Sequence, residues 1–110
     1  MGDILGLFDF LMGSDINQGF EEYNQTDGAI LLDVREKDEF RAGHIEGAKN
    51  LPLSAIQKAT STYKNFDTPL FIYCHSGARA GSALRELKKM GYTNVKNIGG
   101  IISFKGKIVK

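Results

Sequence analysis

The apolar residues of this chain gather into short unbroken runs, separated by stretches of helical period. Two runs have the length of buried strands: residues 29–34, and Leu70-Phe71-Ile72-Tyr73 directly before Cys74. Unbroken rather than alternating apolar residues are what a strand covered on both faces needs. The clearest helical period lies at 80–90. Ala80, Ala83, Leu84, Leu87 and Met90 share one face, while Arg85, Glu86, Lys88 and Lys89 lie outside it. Gly91 suits the position after that helix. Lys88 and Lys89 occupy its last turn, where the helix dipole prefers cations, and read as a solvated helix end.

Shorter elements fill the intervals. Asp15-Ile16 reads as a brief strand entry, and Asn17 as the N-cap of a helix that contains Phe20, Glu21 and Tyr23. Thr26-Asp27-Gly28 and Asp67-Thr68-Pro69 are turn sequences. Residues 36–42 predict a helix stopped by Gly43, residues 48–51 a strand ended by Pro52, and residues 54–63 a helical stretch. Residues 94–98 predict a strand with a turn at Gly99-Gly100, and 101–110 a helical turn or a final strand. Strands alternating with helices predict an α/β fold, a central and mostly parallel sheet flanked by helices on both faces. Ligands of such sheets bind at the carboxyl ends of the strands. Asp33-Val34-Arg35 and Cys74 both stand at such ends.

Ile4, Leu5, Phe8, Leu11 and Met12 also repeat at helical spacing, so residues 1–15 read as an amphipathic helical extension and 16–110 as the domain proper. The extension is expected to pack on its own domain. A dimer contact and a membrane-surface helix are the alternatives, and the second is weakened by a polar face without Lys or Arg. The segment lacks the basic start and small-residue cleavage site of a signal peptide, and it is too short to span a bilayer. Gly6 stands where a myristoylation signal wants Ser or Thr.

Composition narrows the function. A chain of 110 residues, 42% hydrophobic and 25% charged, suits one globular domain. Lys and Arg number 14 against 13 Asp and Glu, which offers no basic face for nucleic acid. One cysteine cannot form an internal disulfide, and with only two histidines it cannot form a zinc site unless carboxylates help. No metal or cofactor is expected, and a reducing cytoplasm is the default compartment.

The chemistry concentrates in Cys74-His75-Ser76-Gly77-Ala78-Arg79. A thiol between a strand end and a helix start lies where backbone N–H groups and the helix dipole converge. That setting favours the thiolate, the reactive form of cysteine. Ser76 and Ala78 are small, and Gly77 permits the positive φ that turns successive N–H groups inward as an anion nest. Arg79 adds a planar charged fork, and His75 a further donor. The plainer alternative is that Cys74 is a small buried hydrophobe at a strand end. Asp33 and Arg35 are candidates to support the loop from the neighbouring strand end, with a structural ion pair as the preferred reading. His44 reads as a buried, hydrogen-bonded histidine that fixes a turn. Tyr73 should point away from the site by strand alternation.

Several ordered motifs together resemble the rhodanese-homology domains, the single-domain sulfurtransferases. They are Leu31-Leu32-Asp33-Val34-Arg35-Glu36, Glu39-Phe40, the run from Gly43-His44-Ile45-Glu46-Gly47 through Ala48-Lys49-Asn50-Leu51-Pro52, the loop 74–79, and Asn97-Ile98-Gly99-Gly100-Ile101. The resemblance covers residues 16–104 and implies a rhodanese-like fold. It implies a thiosulfate sulfurtransferase in which Cys74 is the nucleophile and becomes a persulfide. Arg79, with His75 and the amides of Ser76, Gly77 and Ala78, would bind an anionic sulfur donor such as thiosulfate. The acceptor would be a thiol or protein, since the chain has no second cysteine to resolve the persulfide. Partners of other kinds are not implied beyond a homodimer left open by the first helix. Phosphatases of the same fold carry a loop longer by one residue, and the four residues between Cys74 and Arg79 suit a single sulfur better than a phosphate. The loop also departs from that of mercaptopyruvate-specific relatives. Ala80 replaces a frequent serine, and Phe104 stands near the place of a frequent closing tryptophan. The second reading is a catalytically weak rhodanese-like module that acts in protein binding or regulation.

Overall fold

The computed structural model describes residues 15–110. The helix read into residues 1–15 lies outside them except for Asp15. Four parallel strands form the central sheet: β1 (Ile30–Asp33), β3 (Lys49–Asn50), β4 (Leu70–Cys74) and β5 (Val95–Gly100), in the order β3-β1-β4-β5. A small antiparallel pair joins β2 (His44–Ile45) to β6 (Ile108–Val109). Strand β6 and a 3-10 turn at Ile101–Ser103 together account for the closing segment, so both elements foreseen there as alternatives occur.

Side-chain alternation along β4 splits the core in two. Leu70, Ile72 and Cys74 join Leu32 and Val34 on one face, under Ala80, Ala83 and Leu87 of the helix Ala78–Met90 and Ile56 of the 3-10 helix Leu53–Lys58. Phe71 and Tyr73 join Leu31, Ile45 and Ile98 on the other, under Ile16 of α1 (Ile16–Gln25). Helices therefore cover both faces of a mostly parallel sheet. Two short helices complete the fold, α2 (Lys37–Ala42) and α3 (Ala59–Thr62), and Ala78–Met90 is α4. No helix among the described residues is long and apolar enough to cross a membrane.

Several local expectations are corrected. Asp15-Ile16 is not a strand: Ile16 opens α1 and is buried, and Asp15 is the N-cap, accepting the Asn17 N–H at 3.0 Å. Asn17 instead fastens the far end of the chain. Its amide donates to the Ser103 carbonyl at 3.0 Å, and its oxygen accepts the Lys105 N–H at 2.9 Å. Gly99-Gly100 is not a turn but the end of β5. Tyr73 pairs with Gly99 where Ile72 pairs with Asn97, so β5 carries an extra residue, a bulge. Gly99 adopts φ 111° there. The helix α4 also starts earlier than its apolar period indicates, at Ala78.

Candidate active site

The sulfur site is built by β4 running straight into α4. Cys74 ends the strand, and its side chain falls on the α4 face, 1% exposed. Gly77 is the N-cap of α4 at φ 103°, a left-handed conformation that glycine adopts without the strain a Cβ imposes. The chain thereby turns back on itself and aims main-chain donors at the thiol. Cys74 Sγ accepts the Gly77 N–H at 3.0 Å and the Ala80 N–H at 3.4 Å. Two donors and the positive end of a helix thus converge on one sulfur, an arrangement that stabilises negative charge there.

Two carbonyls of the loop are tied down elsewhere, which holds the Gly77 N–H toward the sulfur. The His75 carbonyl accepts the Ile102 N–H at 3.2 Å. The Gly77 carbonyl accepts the Gly81 N–H at 3.0 Å and the Asn97 side-chain amide at 3.1 Å. Asn97 is itself set by accepting the Gly99 N–H at 2.9 Å. The loop lies so close to β5 that a Cβ on Gly100 would stand 2.2 Å from the His75 carbonyl oxygen. Asn97, Gly100 and Ile102 thus act on the loop through its backbone. Asn97 and Gly100 belong to the closing motif Asn97-Ile98-Gly99-Gly100-Ile101, and Ile102 follows it directly.

The predicted site residues are distributed as follows. His75, Ser76 and Ala78 are exposed, and Gly77 is partly buried above the sulfur. Arg79 points its fork at Glu39: Nη1 donates to Oε1 at 2.7 Å and Nη2 to Oε2 at 2.9 Å, with each side chain about one third exposed. The hydrogen bond from Arg79 holds the Glu39 carboxyl at about 2, against burial that works the other way. The same bond raises Arg79 above its ordinary value. Glu39 Oε1 also accepts the Glu36 N–H at 3.0 Å, within a capping box at the start of α2. Glu39 lies in the Glu39-Phe40 motif, and its partner lies 40 residues away.

Asp33 and Arg35 form a buried pair. Arg35 Nη2 lies 2.7 Å from Asp33 Oδ2 and also donates to the Gly43 carbonyl at 2.7 Å. Burial opposes the Arg35 charge, and the hydrogen bond and charge of Asp33 outweigh it, so its value is raised. The pair clamps the exit of β1 to the chain entering β2. Its link to the cysteine loop runs through the sheet, where the Val34 N–H donates to the Tyr73 carbonyl at 3.0 Å. Tyr73 lies on the opposite core face from Cys74, and its hydroxyl accepts the Ile45 N–H at 3.1 Å. Burial, with the Asp33 charge, raises that phenol well above its ordinary value. His44 is half-buried rather than buried. Its Nδ1–H donates to the Phe40 carbonyl at 2.8 Å, and its ring stacks on Phe40 at 3.6 Å. Among the described residues no group of three or more His, Cys, Asp or Glu side chains is placed to hold a metal ion.

Residues 16–107 match the family model described as the rhodanese-like domain. The chain belongs to the rhodanese family. Among relatives, YqhL of Bacillus subtilis, an uncharacterized protein, is 42% identical over 81 residues, a match covering 73% of this chain and 64% of YqhL. The chain thus spans less than two thirds of that relative's length. Thiosulfate sulfurtransferase PspE of Escherichia coli is 38% identical over 72 residues, 64% of this chain and 68% of PspE. Among solved structures, a rhodanese with anions from E. coli aligns at a TM-score of 0.69 with 30% identity, covering 74% of this chain and 98% of that one. The rhodanese fold and the parallel sheet described above agree.

Proposed function

We propose that this rhodanese-like protein is a sulfurtransferase that carries sulfur as a persulfide on Cys74. The observation that supports it most is the convergence of the Gly77 and Ala80 N–H groups on Sγ, at 3.0 and 3.4 Å. Thiosulfate is the simplest donor. The Cys74 thiolate attacks its outer sulfur, the S–S bond breaks, and sulfite leaves with the bonding electron pair. Cys74 is left as an anionic persulfide, stabilised by the donors that held the thiolate. A separate thiol (or cyanide in an assay) then attacks the outer persulfide sulfur, and Cys74 returns as thiolate. His75 and Ser76 are exposed on the loop beside Cys74, available to an approaching donor or acceptor. The relatives named as sulfurtransferases support the same reaction class.

Intact-mass measurement after exposure to thiosulfate tests the reading. A gain of one sulfur atom is expected on the wild type and none on Cys74→Ala. Equal thiosulfate-to-cyanide turnover in the two proteins would end the proposal. The 1% exposure of Cys74 favours the second reading, a weakly catalytic binding module. In that case partner capture survives Cys74→Ala and no persulfide forms.

A further inference from the structure

Arg79, the cation closest in sequence to the cysteine cradle, faces a carboxylate. Glu39 accepts a hydrogen bond from each terminal nitrogen of the guanidinium. Arg79 also feels the negative charge of Glu36, whose carboxylate is held by Ser54 Oγ at 3.2 and 3.3 Å. Arg35 contributes no surplus, because Asp33 neutralises it in a buried pair. Two carboxylates, Glu39 and Glu36, thus act on the one guanidinium of the loop, while Asp33 and Arg35 neutralise each other. A dianionic donor such as thiosulfate meets more repulsion in such a place than a donor of lower charge.

Resting on the persulfide reading above, we propose that Glu39 sets the charge of donor this site accepts, favouring a low-charge alkyl persulfide over thiosulfate by cancelling Arg79. With an alkyl persulfide R–S–SH, the Cys74 thiolate attacks the outer sulfur and the donor S–S bond breaks. R–S⁻ leaves with the bonding pair, and Cys74–S–SH forms. The proton stays with the transferred sulfur, and no oxidant or reductant is needed. Glu39 touches neither sulfur in this step. It acts through Arg79 as a specificity-determining residue.

Glu39→Gln removes the charge and keeps an oxygen for the Glu36 N–H and for one Arg79 N–H. The readout is the second-order rate of persulfide formation on Cys74, followed by intact mass with thiosulfate and with the persulfide of 2-mercaptoethanol. Glu39→Gln should raise the thiosulfate rate about tenfold and leave the alkyl persulfide rate within about twofold, since only the dianion senses the lost charge strongly. An equal change for both donors would show a structural role only, and a slower thiosulfate reaction would reverse the sign; either overturns the proposal. The wild type supplies a check that needs no variant. Raising the salt from about 20 to about 300 mM should speed thiosulfate relative to the alkyl persulfide, because screening relieves repulsion. A relative slowing shows that Arg79 attracts the donor and overturns the proposal. Absence of persulfide from both donors on the wild type instead overturns the sulfurtransferase reading on which this rests.

Discussion

The side-chain amide of Asn97 donates to the carbonyl of Gly77 at 3.1 Å. One hydrogen bond thereby joins the bulged end of β5 to the residue that turns the cysteine loop. The same side chain accepts the Gly99 N–H, so strand geometry and loop geometry are set by one residue.

Asn97→Ala removes both bonds. It should cost about 1–3 kcal/mol of stability, the range for leaving partly buried polar groups unpaired. It should also slow persulfide formation on Cys74, because the Gly77 N–H loses its fixed direction. Chemical denaturation reads the first effect and intact mass after a timed thiosulfate pulse the second. Asn97→Asp keeps the acceptor for Gly99 but cannot donate to Gly77, so it should be slow in sulfur transfer even where stability is recovered.

Gly100→Ala tests the close approach of β5 and the loop. The new Cβ would lie 2.2 Å from the His75 carbonyl oxygen and 2.6 Å from Ser76 Cα. Both are backbone neighbours, so the loop itself must move. The expected outcome is loss of most persulfide formation, with a stability loss of about 1–3 kcal/mol typical of overpacking. Wild-type transfer rates in this variant would show that loop position does not govern the chemistry.

Much of this arrangement is legible in the sequence where pattern is local. The run Leu70-Phe71-Ile72-Tyr73 marks β4 because every position is buried, and the face Ala80, Ala83, Leu87 marks α4 because its period is helical. What escapes depends on partners far along the chain. Asp15 and Asn17 are equally good caps by type. The choice falls to Asp15 because Asn17 is drawn to Ser103 and Lys105, and Ile16 is buried against the sheet. Gly99-Gly100 has turn composition, yet its lack of side chains serves a strand end pressed against the loop. The two-residue strands β2 and β6 are too short to show a period. The Arg79–Glu39 pair has no local signature, so the fork read as a donor clamp is found beside a carboxylate.

Asp33→Asn should destabilise the protein strongly. It leaves the Arg35 guanidinium, 6% exposed, without its counter-charge. Removing one partner of a buried ion pair costs about 3–5 kcal/mol. Thermal or denaturant unfolding measures the loss. A cost under about 1 kcal/mol would mean that the Gly43 carbonyl alone satisfies Arg35.

Tyr73→Phe separates stability from chemistry. The substitution deletes the hydroxyl that accepts the Ile45 N–H and leaves that donor buried, which should cost about 1–3 kcal/mol. Tyr73 and Cys74 are neighbours in sequence but lie on opposite core faces. The rate of persulfide formation per folded molecule should therefore stay at the wild-type level. A large loss of rate in a folded variant would show that the two faces are coupled through β4.

The Arg79–Glu39 pair carries a definite acid dependence. Arg79 depresses the Glu39 carboxyl from 4.5 to about 2 in the folded protein. A group depressed on folding adds stability that is fully present above its unfolded value, and that stability falls away as pH drops through the folded value. The contribution should thus be complete above about 4.5 and should fade on acidification toward 2 and below. Its size is modest, since both side chains are about one third exposed and solvent screens the pair. Glu39→Gln lacks this titration. The stability difference between wild type and Glu39→Gln should be constant from neutral pH down to about 4.5 and then shrink, as unfolding curves at successive pH values would record. A difference that stays unchanged to pH 2 would show that the carboxylate charge contributes nothing to the fold. One that shrinks well above 4.5 would show that Arg79 is not holding Glu39 in its charged form.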